Sequence, residues 1–318
     1  ISTTPSADSK YKYVNSEMSW KMSNFAVMEM IRLLRPAQWA KNMFVFLPMF
    51  FGGYLFDAGM WLSTVLAFAS FCMAASAIYC LNDIIDAPAD RKHPVKCRRP
   101  VASGKVSPVA AWVLFTLLII DAEAVAFMSF GANDIKVAAT VTAYLMLNVA
   151  YCLGLKRIAV VDVMAIALGF VLRLAAGGLA CGIPLSPWIV LMTFLLTLFL
   201  AFAKRRDDVI IRRDTGTVTR KNTRNYSLEF LNMTLGVLAA VTLVCYVMYT
   251  VSPEVTERLH CNYVYVSTIF VLAGLLRYMQ LAIVDEKSGS PTRILLHDRF
   301  IQSCCVLWLL FFAAILYL

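Results

Sequence analysis

Asp83, Asp86 and Asp90 follow one another at spacings of three and four within the stretch Asn82-Asp83-Ile-Ile-Asp86-Ala-Pro88-Ala-Asp90. On a helix that spacing places all three carboxylates on one face. Like charges so placed repel, and a hard divalent cation relieves the repulsion; magnesium takes one or two carboxylates together with phosphate oxygens. Asn82 supplies a carbonyl ligand or orients a metal-bound water. Lys96, Arg98 and Arg99 follow within nine residues of the last Asp. Acid ligands for a metal beside bases for phosphate are what holding a magnesium diphosphate requires. The plainer alternative is a helix end that meets solvent, where a single Asp is ordinary; an Asn, three in-phase acids and three bases exceed that need. Pro88 lies between Asp86 and Asp90 and is expected to kink or end the helix there, which sets Asp90 apart from Asp83 and Asp86.

The elements that must position these groups are apolar. Of 318 residues, 60% are hydrophobic and only 15% are charged, and the mean hydropathy is +0.70, so a soluble domain is excluded. Uncharged runs such as 137–155, 230–253 and 300–318 are long enough to cross a hydrocarbon core of roughly 30 Å. They are read as helices, because open strands leave backbone groups unsatisfied in lipid. The expected spans are 42–56, 61–81, 109–131, 135–154, 161–181, 186–203, 229–251, 261–281 and 299–318, a nine-helix all-α membrane protein.

Outside and at the edges of these spans, Lys and Arg divide 26 to 2 between the two sides, with Arg173 left inside the fifth span. The positive-inside rule then places the N-terminus in the cytoplasm and the C-terminus outside, as expected of a multi-pass protein of the cell (plasma) membrane. Topology also accounts for most of the net charge of +9. No basic domain stands apart from the spans, so no nucleic acid partner is expected. The nine cysteines are scattered mostly through apolar runs without the spacing of a zinc or redox motif, and read as small buried hydrophobes. Residues 1–24 are polar and are expected to be a flexible cytoplasmic tail ahead of a single transmembrane domain over 25–318.

The run from Asn82 to Asp90 resembles the first Asp-rich motif, NDxxDxxxD, of the UbiA superfamily of intramembrane prenyltransferases. The resemblance extends across nearly all the spans and implies a nine-helix bundle with a cytoplasm-facing cavity that opens to lipid. It implies Mg2+ as cofactor, held by Asn82, Asp83, Asp86 and Asp90. Aromatic-substrate members carry a second DxxxD motif after the sixth helix. Here that region reads Lys204-Arg205-Arg206-Asp207-Asp208, and neither Asp has another four residues on. A basic cluster in that place suits an anionic group better than a second cation.

Further stretches are similar to one branch of the superfamily: Tyr151 to Lys156, Asp162-Val, Gly169 to Gly178 with Arg173, Lys204-Arg205, Asn225-Tyr226-Ser227 and Leu276-Arg277-Tyr278. That branch moves 5-phosphoribose from phosphoribosyl pyrophosphate to a polyprenyl (decaprenyl) phosphate, for arabinan precursor synthesis in the cell wall. The resemblance implies attack of the lipid phosphate on the anomeric carbon, with Asp83, Asp86 and Asn82 serving catalysis through the metal. Arg173 costs several kcal/mol in an apolar span unless it faces a polar cavity or a partner. Asp162, eleven positions earlier, falls on nearly the same helix face. The pair either lines the donor site or forms a structural ion pair with other helices. Lys41, Lys96, Arg99, Tyr151, Lys156, Lys204 and Arg205 lie toward the same membrane side in this topology and are candidates for gripping the donor and acceptor phosphates. His93 has either a substrate-touching, an orienting or a merely solvated role. A prenyltransferase with an aromatic acceptor is the alternative enzyme, and lacks its second diphosphate clamp. A transporter would show an internal repeat, and none is evident. A homo-oligomer is left open.

Overall fold

The computed structural model describes residues 27–93, 95–128, 133–216, 221–286, 294 and 297–317; the tail expected over 1–24 lies outside them. Among the described residues all regular structure is helical. Eight helices are long and apolar enough to cross a membrane. They are α1 (Ala58–Asp90), α2 (Pro108–Met128), α3 (Asp134–Leu153), α4 (Val161–Ala180), α5 (Pro187–Thr215), α6 (Leu228–Val251), α7 (Thr268–Ile283) and α8 (Arg299–Tyr317). A short turn, Val264–Ser267, lengthens α7 at its start. The chain is a multi-pass membrane protein. On α2, Val109, Val113, Leu117 and Ile120 stand exposed at helical spacing, a surface that lipid satisfies and water would not.

Two expectations need correction. The span expected over 42–56 is not one helix: a 3-10 stretch, Pro36–Phe46, leads into a helix of only five residues, Leu47–Phe51, and the chain turns at Gly53 with φ of +84°. Pro36 and Pro48 start these two pieces, as expected of a residue that fits only a helix's first turn. Conversely, α1 and α5 run past the expected ends at 81 and 203. Apolar runs stop where charge begins, but Asp, Lys and Arg continue a helix readily once it has left lipid.

This overrun positions the charge. At 33 residues α1 is roughly 50 Å long, and at 29 residues α5 is roughly 43 Å, against a hydrocarbon core of roughly 30 Å. The last turns of each must stand clear of the apolar layer. Pro88 does not end α1, which continues to Asp90. Ser186 caps α5 by accepting from Ile189 N, with Pro187 in the first turn, and Gly216 closes it in the left-handed conformation. Ser227 caps α6 in the same way, accepting from Phe230 N at 3.1 Å.

The described residues divide into two compact units, 27–42 with 69–125 and 43–68 with 126–317, the divisions falling within the 3-10 stretch, α1 and α2. In the first unit Leu33, Cys80, Ala87, Val101, Val106 and Ala111 form the buried core. Ser70 Oγ donates to Ala122 O at 2.8 Å, tying α1 to α2, and Ser76 Oγ donates to Leu34 O at 3.0 Å. In the second unit α3 to α6 pack each against the next, and α7 packs on α6 and α8. Phe199, Phe202, Leu231 and Leu235 lie at its core. Gly177 of α4 meets the 3-10 stretch so closely that a Cβ there would sit 2.0 Å from Val45 O; only glycine permits that approach.

Candidate functional site

In the first unit the carboxylates of α1 are met by arginines. Asp83 is 1% exposed and Asp90 is 5% exposed. Arg35 Nη2 donates to Asp83 Oδ1 at 2.5 Å, and its guanidinium lies 4.9 Å from the centre of the Tyr79 ring. Arg99 Nη1 donates to Asp90 Oδ2 at 2.6 Å and stands 3.7 Å from Asp83 Oδ1. One arginine therefore bridges two acids seven positions apart, and like-charge repulsion is relieved by guanidinium groups. Arg35 has φ of +53° immediately before Pro36. That backbone region is unfavourable for an arginine, at a cost of about 1–3 kcal/mol. Asp86 and Asn82 are half-buried on the same helix.

Among the described residues no three His, Cys, Asp or Glu side chains are grouped as metal ligands, so the four-residue set expected from Asn82 to Asp90 is not gathered around one point. The residues nevertheless fit magnesium. Asp83 Oδ2 is buried and finds no hydrogen-bond partner among the described residues, which leaves one carboxylate oxygen with its acceptor capacity unused. Magnesium needs only one or two carboxylates when phosphate supplies the rest.

The basic candidates of this unit lie close by in sequence. Lys96 is half-buried and opens the short turn Lys96–Arg98, and Lys41 is half-buried within the 3-10 stretch. His93 has a defined role: Nδ1 accepts from the backbone N–H of Val95 at 3.2 Å and of Lys96 at 3.3 Å. It folds the loop, which accounts for it without a substrate.

The second unit holds a buried charge network. Arg205 is fully buried; Nε donates to Asp162 Oδ2 at 2.5 Å and Nη1 to Asp208 Oδ2 at 3.3 Å. Its Nη2 is buried without a hydrogen-bond partner among the described residues. Asp162 Oδ1 accepts from Tyr226 OH at 2.9 Å, and the same hydroxyl accepts from Val160 N at 2.7 Å. The Tyr226 ring is stacked on Phe230 and edge-on to Phe202. Burial pushes its phenol up to about 12, so it stays a donor to Asp162 at neutral pH. Val160 itself has φ of +70° and ψ of −49°, and Val161 N donates to Ala159 O at 2.8 Å. This is the rare positive-φ γ-turn, here centred on a β-branched residue.

Asp162 and Arg173 do not pair. They share a face of α4, but eleven residues separate them by roughly 16 Å along the axis, so each finds a different partner. Arg173 Nη2 donates to Tyr144 OH at 2.9 Å and Nη1 to Gly169 O at 2.8 Å, while its guanidinium faces the rings of Tyr144 and Phe170. Arg205, expected at the boundary as a phosphate ligand, is buried together with Asp162. Its neighbour Arg206 also turns inward, bonding Asn232 Oδ1 at 2.7 Å and the carbonyls of Ala282 and Ile283 at the end of α7. Lys204 is exposed, and Tyr151 and Lys156 are half-buried near the turn Leu155–Arg157.

Sequence reasoning passed over Arg35 as a candidate and gave Tyr226 and Asp208 no role. Arg35 lies 48 positions from Asp83, with no spacing to connect them. For Tyr226 the signal was its place just ahead of Ser227, the cap of α6.

The family model described as UbiA prenyltransferase family matches residues 45–303. The chain is 33% identical to a decaprenyl-phosphate phosphoribosyltransferase of Mycolicibacterium smegmatis, over 88% of this chain and 90% of that protein. It is 31% identical to the protein of the same name from Corynebacterium glutamicum, over 88% and 84%. Among solved structures, a UbiA homolog from Archaeoglobus fulgidus bound to DMAPP and Mg2+ superposes with a TM-score of 0.66 at 20% identity, covering 91% of this chain and 99% of that one. At that identity the likeness concerns the fold.

Proposed function

The chain belongs to the UbiA prenyltransferase family, and on that premise we propose that it transfers 5-phosphoribose from phosphoribosyl pyrophosphate to a polyprenyl phosphate of decaprenyl type, as a precursor of cell-wall arabinan. The observation that carries this reading is the near full-length likeness, at 31% and 33% identity, to proteins named for phosphoribosyl transfer to decaprenyl phosphate. The end of α5 supports it. No DxxxD stands there, and Asp208 is drawn into the buried network by Arg205, so no second acidic clamp for a prenyl diphosphate is built from these residues.

In the proposed reaction an oxygen of the lipid phosphate forms a bond to the anomeric carbon of ribose as the bond from that carbon to pyrophosphate breaks. Pyrophosphate leaves with the electron pair. The acceptor is already an anion, so no base is required. Asp83, Asp86 and Asn82 would hold magnesium, together with Asp90, whose carboxylate Arg99 steadies. The metal, when bound there, supplies positive charge to the leaving group. Arg35, Arg99 and Lys96 add donors for phosphate oxygens beside α1. Lys41, Tyr151, Lys156, Lys204 and Arg173 are the further proposed contacts of the phosphorylated substrates, and Tyr144 holds the Arg173 guanidinium in place. Arg205 acts through Asp162.

The proposed setting is the plasma membrane with the active site on the cytoplasmic face, the side to which the division of basic residues assigns the ends of α1 and α5. Purified protein incubated with radiolabelled phosphoribosyl pyrophosphate, decaprenyl phosphate and magnesium is expected to move label into the lipid phase. Product formed instead from a prenyl diphosphate and an aromatic acceptor would overturn the reading.

A further inference from the structure

The connection between α3 and α4 carries Lys156 and ends in a γ-turn at Val160 that a β-branched residue adopts only under constraint. Two hydrogen bonds made by one side chain supply the constraint. Tyr226 OH accepts from Val160 N and donates to Asp162 Oδ1. Asp162 N in turn donates to Ile158 O at 3.1 Å. The hydroxyl reaches across 66 positions of sequence, from the connection between α5 and α6, and it is buried. Its ring is fixed by Phe202 and Phe230, so the oxygen cannot follow the loop if the loop moves. The same Asp162 accepts from Arg205, which gives the turn a fixed relation to the buried arginine.

We propose that Tyr226 is a positioning residue: its hydroxyl latches the γ-turn at Val160 and thereby sets the 155–160 connection, with Lys156, for holding a phosphate of the substrate. The part concerning phosphate rests on the function proposed above; the latch itself does not. A β-branched residue at this φ relaxes when the latch is removed, whereas glycine adopts the turn freely. The latch therefore predicts a rescue that mere loss of packing does not.

The test uses the full chain in detergent and three variants. In Tyr226→Phe, which keeps the ring, hydrogen–deuterium exchange of the 158–162 backbone is expected to accelerate. The KM for one phosphorylated substrate should rise about five- to ten-fold, the worth of one hydrogen bond, with kcat little changed. In Tyr226→Phe/Val160→Gly, protection at Val161 and Asp162 and the KM are expected to return toward the wild-type values. Val160→Gly alone should leave exchange and KM within about two-fold, since glycine fits the turn. Unchanged exchange in Tyr226→Phe overturns the latch. Exchange that accelerates without any change in KM, or a KM that glycine does not rescue, overturns the positioning role. If the wild-type chain transfers no phosphoribose at all, the proposed function fails, while the exchange measurements still decide the latch.

Discussion

Arg205 Nε donates to Asp162 Oδ2 at 2.5 Å, joining α5 to α4 across 43 positions of sequence with both side chains shut off from solvent. Removing one member leaves the other as an uncompensated buried charge, which costs about 3–5 kcal/mol. Arg205→Ala is therefore expected to lower the unfolding temperature in detergent sharply. Lys204→Ala, one residue away but exposed, should leave that temperature unchanged. It should instead raise the KM of one phosphorylated substrate about ten-fold or more, as loss of a charge-assisted contact of about 1.5–3 kcal/mol implies. Similar small losses of stability in both variants would remove the distinction drawn between them.

Under the proposed function the acids of α1 differ in what their removal takes away. Asp83 also anchors Arg35, so Asp83→Ala is expected to lose turnover and some stability together. Asp86→Ala, at a half-buried position, should abolish turnover while the chain stays folded. Chelation by EDTA is expected to act as Asp86→Ala does, with recovery on adding magnesium. Full activity in EDTA sinks the metal assignment.

Gly177 and Gly236 both lie within helices but meet different surroundings. A Cβ at Gly177 collides with the backbone at Val45, whereas one at Gly236 meets nothing within 4 Å. Gly177→Ala must force α4 away from its neighbour and is expected to destabilise by about 1–3 kcal/mol or more. Gly236→Ala should stabilise by up to about 1 kcal/mol through helix propensity. Thermal unfolding of the two variants gives opposite signs if the close approach is real.

Asp298 precedes α8 and serves as its cap: Oδ1 accepts from Ile301 N at 2.9 Å while Oδ2 accepts from Arg277 at 2.8 Å. The Arg277 guanidinium, before the smaller effects of burial and backbone donors, holds this carboxyl below the usual carboxylate range. A depressed folded-state value contributes stability that is present above the unfolded value, near pH 4, and is lost as pH falls through the folded value. Asp298→Ala is expected to cost about 0.5–2 kcal/mol at pH 7 through the lost cap. The gap between its unfolding temperature and that of the wild type should narrow as pH falls below 4. A gap that stays constant down to pH 2 would exclude the ionised cap.

Much of the helical fold was legible in the chain, because hydropathy is a property of runs of residues. The spans over 109–131, 135–154, 161–181, 229–251 and 299–318 match α2, α3, α4, α6 and α8 within a few residues. The Asp83, Asp86 and Asp90 spacing was likewise readable, because helical periodicity is local. Runs of residues say less where a proline interrupts them, and so the segment around Pro36 and Pro48 took a form that composition does not disclose.

Which charge meets which was decided only by tertiary structure. Asp162 and Arg173 share a helix face by spacing, yet three helical turns lie between them and each bonds to a residue of another helix. Lys204, Arg205 and Arg206 are adjacent in sequence and alike in charge, but successive helical positions differ by about 100°. Helix packing sends Arg205 and Arg206 inward and leaves Lys204 exposed. A run of bases shows that a helix has reached the membrane boundary; only packing against α4, α6 and α7 decides which of them turns inward and which stays at the surface.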